Sequence, residues 1–363
     1  MLNSLVSTWL TKRSVSAALS VGALLCITSG ANAQLISYEG FNYSGLTADQ
    51  SLLQPATAPN AGLGTSGNTY GTGDSFGWAG GWSTSAGTNQ YVATSLTYNN
   101  GASLVVDGGA ERTGMQHNQV IGSTTAQLQR QFALLGNGGT SNTLGSIAAN
   151  YGGVLWMSFL YQNLVNDPLQ WGGGDTGGGT NGFAAAWVGF QTGATIGSDG
   201  SSQRNGGSQL EVGQGNTPTA GVGRGIQIGN LNGNNNMLPV DTDESNYGPA
   251  MPADLIVMRL TVDNTSANDQ VDLWLNPVIG AGSLGTLGTP TVSYTTNLSS
   301  VNGIRLQAGN QNGQRTNAVF VTDEYRLGAD FYSVTPTPEP STIALLGVAL
   351  SGLWLSIRRN RRS

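Results

Sequence analysis

The chain has 363 residues, 20 acidic and 14 basic, for a formal charge of −6. That length gives one large domain or two small ones, and the acidic balance argues against nucleic acid and anionic lipid as partners. A single histidine and a single cysteine exclude the common zinc centres and any disulfide within the chain.

The first 33 residues read as a signal peptide. Lys12 and Arg13 supply the charged start, residues 14–28 form a short apolar helix, and Ala31-Asn32-Ala33 is a small-x-small cleavage site. Cutting by signal peptidase after Ala33 leaves Gln34 as the mature N-terminus. Cys26 falls in the discarded segment. Leu25 before it is not the small residue that lipidation needs.

Residues 34–335 form the body. It has no lysine and no cysteine, and its eight arginines against nineteen acidic residues give −11. Glycine, 55 residues in the chain, has no three-residue period, which excludes collagen. It gathers with Asn, Ser and Thr at 172–182 and 229–236, which read as long surface loops. A phosphate-binding loop would need a lysine that the body lacks.

Thirteen short strands are expected, at 35–39, 91–98, 102–106, 126–134, 153–162, 183–190, 209–212, 225–228, 254–262, 270–275, 303–307, 318–322 and 331–334. In Val271-Asp272-Leu273-Trp274-Leu275 the odd positions face one way. Leu255-Ile256-Val257-Met258 is a continuous apolar run, expected of a central strand buried on both faces. Leu128-Gln129-Arg130-Gln131-Phe132 is more polar and suits an edge. No segment shows a helical period with caps. Many short strands separated by turn signals predict an all-β fold, an antiparallel two-sheet sandwich with long Gly/Asn-rich loops. The segments do not repeat at a fixed period, which excludes a propeller or β-helix.

Leu35-Ile36-Ser37-Tyr38-Glu39-Gly40-Phe41-Asn42-Tyr43, followed by Gly77-Trp78-Ala79-Gly80-Gly81-Trp82, resembles the start of the laminin-G-like, concanavalin-type jelly rolls. Val154-Leu155-Trp156-Met157-Ser158-Phe159-Leu160 resembles their central strand, and Asp272-Leu273-Trp274-Leu275-Asn276-Pro277 a strand ending in Asn-Pro. Thr322-Asp323-Glu324-Tyr325-Arg326-Leu327-Gly328 resembles their closing strand. The resemblance implies one jelly-roll domain over 34–335. Such folds host sugar binding, glycosidases, adhesion and structural roles, so it leaves the function open.

Chemistry is sparse. The single histidine, His117, sits in the polar stretch Met115-Gln116-His117-Asn118, which reads as a loop and not as the base of a triad. The Glu-x-Asp-x-(x)-Glu pattern of concanavalin-type glucanases is absent. The carboxylate pair that glycoside hydrolysis needs would have to come from distant segments, such as Glu211 with Asp241 or Asp243. Asp241-Thr242-Asp243-Glu244 is an acidic loop and a candidate calcium site, because closely spaced carboxylates suit that hard ion. Asp263, Asn264 and Asp269 at the turn before Val271 are a second calcium candidate. Trp171, Trp78 and Trp82 are the aromatic residues singled out for stacking on a sugar. Trp187 and Trp274 read as core.

Residues 336–363 have three unlike parts in order: Pro338-Glu339-Pro340, an uncharged apolar run at 341–357, and Arg358-Arg359-Asn360-Arg361-Arg362 before Ser363. The run would make roughly 26 Å of helix, at the short end of what spans a bilayer core of about 30 Å. The arginines would hold its end in the cytoplasm. This tail resembles the PEP-CTERM sorting signal of bacterial exported proteins. The resemblance implies membrane retention by the C-terminal transmembrane helix, processing near the motif by an exosortase-type enzyme, and then a place at the cell surface or outside the cell. The sequence therefore predicts an exported, non-enzymatic surface or matrix protein. Its alternative is a jelly roll that binds, or less readily cleaves, extracellular polysaccharide.

Overall fold

The computed structural model describes residues 34–41, 75–79, 82–86, 89–92, 94–114, 126–133, 141–164, 184–192, 208–214, 226–230, 236–241, 252–263, 268–280, 287–310 and 319–337. Met1–Gln34 and Leu35–Ser363 separate as two units, and every described strand and helix belongs to the second. Among the described residues no helix is long and apolar enough to cross a membrane. The expected signal helix and the run 341–357 lie outside them.

The first sheet takes β1 (Leu35–Glu39), β2 (Ser75–Phe76), β4 (Asn89–Val92), β7 (Ala110–Gly114), β9 (Val154–Asn163), β14 (Asp254–Thr261), β15 (Asp269–Leu275), β16 (Val292–Thr296) and β18 (Val319–Gly328). Its order is β16-β15-β14-β9-β18-β1-β2, with β7 beside β18 and β4 beside β7. The second sheet takes β3 (Ser83–Ala86), β8 (Ala126–Gln131), β10 (Ala184–Gln191), β11 (Ser208–Gln214), β12 (Ile226–Asn230), β13 (Asn236–Pro239) and β17 (Gly303–Asn310). Its order is β13-β12-β11-β10-β17-β8-β3. A small hairpin joins β5 (Asn99–Asn100) to β6 (Ala102–Ser103). The pairings are antiparallel. The chain changes sheet between β2 and β3, β3 and β4, β7 and β8, β8 and β9, β9 and β10, β13 and β14, β16 and β17, and β17 and β18. Apolar residues of both sheets meet in a shared core, and the result is a two-sheet sandwich.

Strand alternation explains the packing. From the second sheet Val188, Phe190, Leu210, Val212, Ile304 and Leu306 point into one core, where they meet Met157, Phe159, Ile256, Met258, Val271 and Leu273 from the first. The opposite face of the first sheet buries Trp156, Leu160, Leu255, Val257 and Trp274 in a second core. The apolar run in β14 thus splits between two cores, as expected of a strand buried on both sides. The second core is covered by the strap of residues 94–109, which contributes Tyr98 and Leu104, together with Ile279, Phe331 and Val334.

Several expectations are corrected. The segment 331–334 is a helix, α2 (Phe331–Val334), because Asp330 caps it: Ser333 N donates to Asp330 Oδ1 at 2.8 Å and Ser333 Oγ donates back to Asp330 O at 2.7 Å. A further helix, α1 (Leu144–Ala149), was not expected from the sequence. Thr143 Oγ1 caps it by accepting from Ser146 N, and Leu144, Ile147 and Ala148 enter the first core. The polar strand β8 is not an edge, since β3 pairs with its outer side at Ser83↔Gln129 and Ala86↔Gln127. The expected strand 91–98 ends at Val92, and only Ala102–Ser103 of 102–106 is strand. The remaining residues belong to the strap. The loop expected at 229–236 is shorter, because Gly229 and Asn236 already pair within β12 and β13.

Candidate ligand-binding face

The aromatic and acidic residues singled out from sequence fall into three groups. Trp171, Asp243, Glu244 and His117 lie outside the described residues. Trp78 and Trp82 join one aromatic cluster at the end of the first core. Trp82 is 4% exposed and stacks on Phe41 at 5.7 Å; Trp78 stacks on Phe132 at 5.3 Å and donates its indole N–H to Tyr38 O at 2.8 Å. Arg130 lies over both indoles, 5.1 and 5.7 Å from their centroids, and pairs with the buried Glu39.

The third group is acidic. Asp269 is buried and ties two loops together, accepting from Asp263 N at 2.7 Å, Leu298 N at 2.6 Å and Ser299 N at 2.9 Å. The Asp263 side chain is exposed. Asp241 is half-buried, and its negative charge acts on Asp254. Among the described residues no group of three or more His, Cys, Asp or Glu side chains is placed to hold a metal.

The most unusual arrangement is the face of the second sheet turned away from the shared core. Residues alternating with Val188, Phe190, Val212 and Leu306 must point there. They are polar, and they are buried: Trp187, Gln191, Glu211, Gln227, Arg305 and Gln307 are all 5% exposed or less. The register arranges them in rows across the strands. One row runs Arg305–Gly189–Glu211–Gly229, and the next runs Gln307–Trp187–Gly213–Gln227. Gly189 therefore separates Arg305 from Glu211 and Gly213 separates Trp187 from Gln227, while Gln307 sits directly beside Trp187. Arg305 and Glu211 stand two strands apart, about 10 Å between backbones, with no side chain on Gly189 between them.

Burial pushes the Arg305 guanidinium down to about 10, and the negative charge of Glu211 works against that shift. Four polar atoms on this face are buried without a hydrogen-bond partner among the described residues: Trp187 Nε1, Gln191 Nε2, Arg305 Nε and Gln307 Oε1. An orphaned buried group costs about 1–3 kcal/mol, so the four on this sheet face call for partners that the described residues do not supply. The set contains donors, an acceptor and an indole ring, and its Arg and Glu charges cancel. A hydroxyl both donates and accepts, so a neutral, hydroxyl-rich molecule suits it.

The opposite side of the molecule holds a buried charged knot. In β18 a bulge between Asp323 and Arg326 places Glu324 at φ 59°. Asp323 accepts from Ser95 Oγ, Leu96 N and Glu324 N. Glu324 accepts from Tyr38 Oη, Asp107 N and Arg326, and Arg326 also donates to Val105 O. Burial, reinforced by the neighbouring Glu324 charge, holds the Asp323 carboxyl well above its usual range; burial also raises Glu324, against the opposing pull of Arg326. Ser95, Leu96 and Asp107 donate from the strap and Val105 accepts there, so the knot fastens it to the sheet. Sequence reading marked Asp323, Glu324 and Arg326 only as part of a closing strand. Adjacent acids and an arginine inside an otherwise apolar strand were the signal.

Residues 336–362 match the PEP-CTERM protein-sorting motif. The comparison with curated proteins finds no match. Among solved structures the chain is similar to lectin II from Ulex europaeus, at 11% identity and TM-score 0.32, over 68% of this chain and 99% of that one. It is similar to the metal-free VIP36 exoplasmic/lumenal domain, at 9% identity and TM-score 0.36, over 72% and 88%. It is also similar to the Lotus tetragonolobus seed lectin, at 12% identity and TM-score 0.33, over 63% and 90%. The chain is thus a two-sheet β-sandwich that carries a PEP-CTERM sorting domain at residues 336–362.

Proposed function

We propose that this is an exported protein whose tail is handled by an exosortase-type enzyme and whose body binds neutral carbohydrate, without cleaving it, at the cell surface or in the extracellular matrix. The sorting motif supports export and processing, with signal peptidase acting first at Ala31 and Ala33. Before processing, the run 341–357 holds the protein in the inner membrane, with Arg358, Arg359, Arg361 and Arg362 on the cytoplasmic side and Pro338, Glu339 and Pro340 outside it.

The observation that carries the binding reading is the buried polar face of Trp187, Gln191, Arg305 and Gln307 over a glycine floor. A sugar would supply the missing hydrogen bonds through its hydroxyls and lay an apolar ring face on Trp187. The strands of this sheet carry one acidic residue, Glu211, whereas hydrolysis of a glycosidic bond uses two carboxyl groups within about 10 Å of each other. That supports binding over cleavage. Calcium remains part of the proposal at the loop of Asp241, Asp243 and Glu244.

A glycan array probed with the purified protein tests the reading. Binding to neutral glycans that Trp187→Ala abolishes is the expected result. Release of reducing sugar from a polysaccharide panel, abolished by Glu211→Gln, would replace it with a glycosidase.

A further inference from the structure

The root of the sorting tail is held by the body. Val334 O accepts from Ser158 Oγ, Thr335 N and Oγ1 both donate to Phe331 O, and Val105 N donates to Pro336 O at 2.8 Å. The tail therefore leaves the molecule beside the strap. From Thr337 to the start of the apolar run at Ser341 there are four residue steps, which reach at most about 14 Å when fully extended.

The same side of the body carries three of the four large hydrophobic side chains exposed among the described residues. Among the described residues four large hydrophobic side chains stay exposed: Val105 at 42%, Val278 at 51%, Tyr332 at 37% and Leu238 at 40%. The first three belong to the layer over the second core, whereas Leu238 is in β13 of the other sheet. Val105 and Tyr332 flank the clamped root, since Val105 bonds Pro336 and Tyr332 lies in α2 just before it. Val278 adjoins the strap hairpin: Ile279 N donates to Asn100 O, and a Cβ on Gly101 would come within 2.6 Å of Val278 Cγ1.

We propose that this face, with Val105, Val278 and Tyr332 at its surface, rests on the bilayer while the tail is still anchored. The inference depends on the anchored-tail reading above. The short link leaves little room between the face and the headgroups, and an amphipathic Tyr beside small apolar residues suits that interface. Asp107 is exposed at the same end of the strap, so a zwitterionic headgroup layer fits better than an anionic one.

The body has no cysteine, which permits a direct test. In the full chain with Cys26→Ser, single variants Val105→Cys, Val278→Cys, Tyr332→Cys and Leu238→Cys are labelled with a polarity-sensitive dye and placed in phosphatidylcholine vesicles. A quencher carried on the lipid should quench the first three several-fold more than the dye at Leu238. Equal quenching at all four in a chain that floats with the vesicles would overturn the docking face and leave the anchor standing. A chain that fails to float would overturn the anchor itself. Selective quenching that appears only after a processing enzyme is added would assign the face to a protein partner and also overturn the bilayer proposal.

Discussion

The two sheets share one core but treat their other faces in opposite ways. The first sheet covers its outer face with its own chain: the strap, α2 and Ile279 close over Trp156, Leu160, Leu255, Val257 and Trp274. Polar groups there include matched ones, with Trp274 Nε1 donating to Gly288 O, Arg259 paired to Asp272, and the Asp323–Glu324–Arg326 knot joined to the strap, although Arg326 Nη1 is buried without a hydrogen-bond partner among the described residues. On the second sheet the corresponding face alternates glycine with large polar residues and leaves four buried atoms without partners among the described residues. A surface that serves only stability is expected to satisfy its polar groups. The different cover of the two faces supports reading the second as one adapted to a ligand.

The largest test falls on the charged knot of the first sheet. Arg326→Met strands the buried Glu324 carboxylate, and breaking a buried pair of this kind costs about 3–5 kcal/mol. Chemical denaturation should register that loss. A smaller one would mean that Tyr38 Oη and Asp107 N suffice to hold Glu324.

The knot also predicts a pH dependence. Burial raises the folded-state value of Asp323 above its ordinary 3.8, so the folded protein holds that proton more tightly than the unfolded chain does. Its contribution to stability is fully present below about pH 4 and is lost as pH rises through the raised folded value. Asp323→Asn should flatten the slope of thermal stability against pH above 4. An unchanged slope would remove Asp323 as its source.

One substitution made on both faces sharpens the comparison. Trp274→Phe deletes a hydrogen bond that has a partner and should destabilise by about 1 kcal/mol. Trp187→Phe deletes an N–H that has none among the described residues, so stability should hold or rise while glycan affinity falls. Differential scanning calorimetry of the pair decides this, and equal losses would make the two faces alike.

The smallest change serves as a control. Thr143→Ala removes the α1 cap and should cost about 1 kcal/mol, read as a shift of the denaturation midpoint with glycan binding untouched.

Much of the sandwich was legible in the residues. The alternation in Val271-Asp272-Leu273-Trp274-Leu275 and the unbroken run in β14 each placed side chains on the face where they are found. What failed to show was short or non-local. α1 has six residues and α2 four, too few for a period to appear, so the capping residues Thr143 and Asp330 were the only cues. The edge assignment of β8 failed because β3, a Ser/Thr-rich strand far away in sequence, covers it. The candidate face was hidden for a related reason. Trp187, Glu211, Gln227 and Arg305 come from four strands spread over more than a hundred residues, and only register brings them into adjacent rows. Glu211, a candidate half of a carboxylate pair in the sequence, also acts through its charge on Arg305, two strands away.

The most direct measurement is a titration of the full-length protein, held in mild detergent, with the neutral glycan that binds best on an array, alongside Trp187→Phe and Arg305→Met. The account predicts a saturable affinity in the parent chain that falls at least tenfold in both variants. Affinity that survives both substitutions, or no binding to any neutral glycan, would contradict it.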